Sequence, residues 1–147
     1  MRVVELEQRP QRAVAPASSA VSAFGRRMLA ATGLVAVAVA HVLDLPNQIH
    51  GALYITAGYV VLIAASLVLA GRLIVRDRRS DRQVAALVTG AAALAYIASR
   101  TTGLPFDTAD IGNWAEHLGI VTLVAETLVL AAVVSEWRSP RAAPVST

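Results

Sequence analysis

GALYITAGYVVLIAASLVLAGRLIVRDRRSDR, residues 51–82, is the stretch whose reading decides the fold. Positions 51–71 are uncharged and almost wholly apolar, close to the ~20 residues with which an α-helix crosses roughly 30 Å of hydrocarbon. Directly after them come Arg72, Arg76, Arg78, Arg79 and Arg82. A span that ends in clustered arginine has a direction, because connections rich in basic residues are retained in the cytoplasm. Working outward, three more runs of similar kind appear at 28–45, 83–99 and 115–134. Arg2, Arg9, Arg12, Arg26 and Arg27 precede the first run, and Arg138 and Arg141 follow the last. The connections 46–50 and 100–114 hold one arginine between them, Arg100, and are therefore expected to face outward. The expectation is an all-α four-helix transmembrane bundle with both termini cytoplasmic.

Composition agrees. Of the 147 residues 56% are hydrophobic and 16% charged, and mean hydropathy is +0.58, all shifted toward membrane proteins. A net charge of +3 and a pI near 10.2 would suggest nucleic acid on a polar domain. Here the basic residues flank spans, so the expected partner is the lipid bilayer with its anionic headgroups, and no nucleic acid. Cysteine is absent, which excludes thiolate catalysis, thiolate metal ligation and disulfide exchange. All 13 basic residues are arginine. That bias, with abundant alanine, suggests a high-GC bacterial gene and a multi-pass protein of the plasma membrane.

Residues 1–24 show no sustained apolar period and read as a flexible cytoplasmic tail. The membrane domain is expected over 25–137, with a second tail at 138–147. Helix ends are marked locally. Asn47 is placed to cap the second helix, Ser80 with Gln83 and Asn113 with Glu116 form capping-box patterns for the third and fourth, and Gly103 with Pro105 marks the end of the third.

Beyond this end chemistry, ionisable groups collect at the outward side: His41, Asp44, His50, Arg100, Asp107, Asp110, Glu116 and His117. The plain reading is interfacial polarity, with His41 and Asp44 hydrogen-bonded across one helical turn. The sharper reading is a metal or haem site with His41, His50 and His117 as candidate ligands, since imidazole suits Zn, Cu and Fe. Arg100 favours the negative end of its helix and has Glu116, Asp107 and Asp44 as candidate ion-pair partners. Glu126 lies mid-helix, where an ionised carboxylate costs at least ~2.5 kcal/mol, so it must be protonated, paired or hydrated. It shares one face with Gly119 and Thr122, and Thr89, Tyr96, Tyr59 and Ser66 are hydroxyl candidates to meet it.

The run Tyr96-Ile-Ala-Ser99-Arg100-Thr101-Thr102-Gly103-Leu104-Pro105, followed by Gly112-Asn113-Trp114-Ala115-Glu116-His117-Leu118-Gly119 and Glu126, resembles a group of small actinobacterial four-span integral membrane proteins. Their shared pattern is Ser-Arg-Thr-x-Gly-Leu-Pro and Trp-x-Glu-x-Leu-Gly. The resemblance spans most of the membrane region and neither tail. It implies that Arg100, Gly103, Pro105, Trp114, Glu116 and Glu126 belong to a common fold and site, with His41 and His50 less firmly attached, and it implies no reaction. Proline often follows the glutamate in that group, and this chain has His117 instead. Three function classes remain open. The first in order is an accessory or structural component docking another membrane protein or a second copy. The alternatives are a proton-coupled carrier using Glu126, and a metal- or haem-binding redox protein using the histidines.

Overall fold

The computed structural model describes residues 17–49 and 51–137, with side chains from Ser22 onward; His50 and the two ends lie outside the described residues. Four helices account for nearly all of it: α1 Ala17–Gln48, α2 Leu53–Val75, α3 Arg79–Thr101 and α4 His117–Trp137. All four are long and apolar enough to cross a membrane. The architecture is that of a small multi-pass membrane protein. Leu67, Val68, Leu87, Leu94 and Val124 point away from the bundle, where lipid tails rather than water suit them.

The helices run alternately up and down, each packed on the next in sequence and α1 closing the ring against α4. Ion pairs collect the start of α1, the α2–α3 connection and the end of α4 at one end of the bundle. Arg26 lies 3.9 Å from Glu136, Arg27 3.9 Å from Asp77, and Arg82 pairs with both Asp77, at 3.3 Å, and Glu136. Arg72 reaches across the same connection to Asp81 at 2.7 Å. The dry core sits next to this end. Ala30, Ala31 and Leu34 of α1 meet Leu69, Ala70 and Leu73 of α2, Ala85 of α3, and Val129 and Ala132 of α4. Small residues allow that closeness. A Cβ added to Gly33 would fall 2.6 Å from the Val129 Cγ2 and 3.2 Å from the Ala125 carbonyl oxygen.

All four helix starts differ from expectation. Helix α1 is already formed at Ala17, inside the segment read as a tail. At its other end it continues past Pro46 to Gln48. Asn47 therefore belongs to the last turn of α1, where its side chain donates to Asp44 Oδ1 at 2.9 Å, and it does not cap α2. Helix α2 starts beyond Ala52, whose extended backbone carries no side-chain cap. Thr56 Oγ1 instead closes the junction by donating to the Gln48 carbonyl at 2.8 Å. Ser80 does not cap α3. A reversal at Asp77, with φ of 44°, lets the helix begin at Arg79, with Asp81 in its first turn facing the positive end of the dipole. At α4 the cap is Glu116 itself, not Asn113.

Candidate functional site

Opposite the ion-paired end the bundle does not close. A cavity of about 450 Å³ runs between the helices from their polar ends down to Glu126, within the range of small-molecule pockets. Its mouth is shaped by the connection after α3. Gly103 adopts φ of 76°, as expected for a left-handed helix terminus, and its N–H bonds the Ala98 carbonyl at 2.9 Å. The chain then turns tightly through Leu104 and Asp107, with Phe106 at φ of 64°, and returns when the Gly112 N–H bonds the Arg100 carbonyl at 2.9 Å. The Pro105 carbonyl accepts from the Tyr54 hydroxyl at 2.6 Å, tying this connection to the start of α2.

That return sets the ion pairs of Arg100. The guanidinium is only 6% exposed. Nη1 lies 2.5 Å from Asp110 and Nη2 lies 3.5 Å from Glu116, while its plane sits over the Tyr96 ring at 4.8 Å. Trp114 packs edge-on against that same ring, with centroids 6.2 Å apart. Glu116 meanwhile caps α4 with both oxygens, accepting from Leu118 N–H at 2.8 Å and Gly119 N–H at 2.5 Å. Glu116 is thus an Arg100 partner as expected. Asp110 replaces Asp107 and Asp44 as the nearer one, because Gly112 folds the connection back over the end of α3.

On the α1 side, the hydrogen bond expected between His41 and Asp44 is not made. His41 Nδ1 pairs with the Val37 carbonyl at 2.9 Å, and the ring stands edge-on to Tyr59 at 4.8 Å. Asp44 accepts instead from Tyr59 at 2.7 Å, Asn47 at 2.9 Å and Gln48 at 3.2 Å. Three donors leave it well satisfied. His117 is exposed on the first residue of α4 and does not line the cavity. Of the two candidate metal ligands among the described residues, His41 is at the cavity and His117 is not; His50 lies outside the described residues. Among the described residues, no three His, Cys, Asp or Glu side chains are grouped to hold a metal ion.

Glu126 is the deepest ionisable group and is 1% exposed. Gly119, Thr122 and Glu126 do turn inward together. The expected hydroxyls, however, do not meet it: those of Tyr96 and Ser66 are buried without a hydrogen-bond partner among the described residues, and the others are engaged elsewhere. Thr89 donates to the Ala85 carbonyl at 2.8 Å, Thr122 to the Leu118 carbonyl at 2.8 Å and Tyr59 to Asp44. Among the described residues, Glu126 Oε2 has no hydrogen-bond partner. It is a buried carboxyl oxygen at the end of a cavity. Compared with known proteins, the chain matches no family model, no curated protein and no solved structure.

Proposed function

We propose that this chain is a small carrier of the bacterial plasma membrane, with its arginine-rich end in the cytoplasm, a ligand site in the cavity and Glu126 as the protonatable group. One observation carries the reading: the unpartnered Glu126 Oε2 in the wall of a cavity large enough for a small molecule. A carboxyl kept only for packing is expected to be hydrogen-bonded to a neighbouring helix, since a buried polar atom left unsatisfied costs ~1–3 kcal/mol. The asymmetry of the bundle supports the same reading. One end is closed by packing and ion pairs and the other is open, as one state of a carrier requires.

The remaining ionisable groups at the cavity are His41 and Asp44 from α1, Tyr54 and Tyr59 from α2, Tyr96 and Arg100 from α3, Asp107 and Asp110 in the connection, and Glu116 at the start of α4. All belong to the polar end, whereas Glu126 stands some two and a half turns deeper along α4. An infrared titration of the carboxyl bands between about pH 5 and 9 tests the reading, because an acid that exchanges protons in function must titrate near working pH. The expected result is a titrating band that disappears in a folded Glu126→Gln variant. A band that stays protonated throughout, with Gln tolerated in every binding assay, overturns it. A second reading, an accessory subunit, draws on Phe106, which is 98% exposed on the connection after α3. Stable co-purification of another membrane chain, lost in Phe106→Ser, is its test.

A further inference from the structure

The charges around the cavity do not balance, and the imbalance identifies a ligand class. Arg100 is already held by Asp110 and Glu116, and Asp44 by three donors. Among the carboxylates lining the cavity, the buried oxygen left without a partner is that of Glu126, beneath walls made by residues such as Ile55, Leu62 and Val88; the Tyr96 hydroxyl, neutral, is also unpartnered. No guanidinium or ammonium group lies at that depth among the described residues, so an anion would meet apolar wall and a bare carboxylate. A small inorganic cation would find a single carboxylate and no set of oxygens to replace its water. An organic cation meets a different environment. Its charge has Glu126 as counterion and its apolar body has the aliphatic wall, while the rings of Tyr59 and Tyr96 line the cavity nearer its polar end.

The shape of the cavity adds where such a ligand comes from. Val61 of α2 lines it and is 67% exposed, and Ala91 and Ala95 of α3 line it and are also exposed. The cavity therefore opens sideways between α2 and α3, onto a surface that faces lipid if the four helices span a bilayer. Resting on the carrier reading above, we propose that the cavity binds a lipophilic organic monocation, an ammonium or phosphonium with an apolar body, taken from the bilayer through the gap between α2 and α3 and neutralised by Glu126.

Equilibrium dialysis of the protein in lipid nanodiscs, with protein-free nanodiscs subtracted, tests this using three probes of related shape: tetraphenylphosphonium, triphenylphosphine oxide and tetraphenylborate. The expected result is saturable binding of the cation above both others. Glu126→Gln should weaken it about tenfold or more and Glu126→Asp should retain most of it, with helical content and thermal midpoint unchanged in both. Binding of the neutral oxide or the borate as tightly as the cation, or a cation affinity indifferent to Glu126→Gln, overturns the cationic class while leaving a ligand cavity. Binding of none of the three above the protein-free background overturns the cation proposal. If the Glu126 carboxyl band also fails to titrate, the carrier reading fails with it.

Discussion

Arg100 Nη2 stands 3.5 Å from Glu116 Oε2, the same oxygen that accepts the Gly119 N–H at 2.5 Å. One carboxylate atom thus closes the first turn of α4 and holds α4 to the end of α3. The two roles predict a specific pattern of instability. Glu116→Ala loses a cap, ~1 kcal/mol or somewhat more, together with the ion pair. Arg100→Ala leaves Asp110 and Glu116 facing each other without the guanidinium. The double variant should cost less than the sum by ~0.5–3 kcal/mol, read from unfolding midpoints in mild detergent. Strict additivity would mean the pair does not interact.

Orientation is open to direct labelling, since the chain has no cysteine to remove first. Ser80 is exposed at the ion-paired end and Thr108 on the connection between α3 and α4. In intact cells, a cysteine at Thr108 should react with an impermeant thiol reagent while one at Ser80 is shielded until the cells are opened. The reverse pattern would turn the molecule over and place the cavity mouth in the cytoplasm.

How much of this is legible in the sequence divides along physical lines. The four helices are, because an apolar run of this length has almost no other fate and arginine marks its ends. The inward face of Gly119, Thr122 and Glu126 is legible too, as a matter of helical period. Asn47, Ser80 and Asn113 mislead because each fits a cap locally, while the true boundary is set by chain path: a helix that continues through Pro46, a reversal at Asp77, and a glutamate that caps in place of the asparagine. The pairing of Arg100 with Asp110 depends on Gly112 at φ of 78°, and only that glycine hints at it. The cluster at the other end has a clearer mark in the sequence. Asp77, Asp81 and Glu136 are acids set among arginines, where a solvated basic loop has no need of them.

Gly33 offers a test of the packed half. A Cβ there meets the Val129 side chain and, at 3.2 Å, the Ala125 backbone carbonyl. The side chain can be shortened but the carbonyl cannot move without shifting α4. Gly33→Ala should therefore destabilise by ~1–3 kcal/mol, the usual range for overpacking. Adding Val129→Ala to it should recover part of the loss but not all. Full recovery would show that the backbone contact is slack, and no loss at all would mean that α1 and α4 can separate without cost.

The closed end gives the last test, because Arg82 serves two acids at once. It pairs with Glu136 of α4 and with Asp77 of the α2–α3 connection, while Arg26 and Arg27 of α1 approach those same two acids. The charges are only partly shielded, so the loss from breaking one pair should fall below the ~3–5 kcal/mol of a fully buried one. It should still exceed the ~0–1 kcal/mol of a surface pair. Glu136→Gln is expected to lower the unfolding midpoint accordingly. Exchanging the charges by Arg82→Glu with Glu136→Arg separates a simple pair from a network. In a simple pair the exchange restores stability. Here the new glutamate would face Asp77 and the new arginine would face Arg26, so the exchanged protein should remain less stable than the wild type, and adding Asp77→Asn should raise it. An exchange that restores full stability on its own would show that Arg82 and Glu136 act independently of their neighbours.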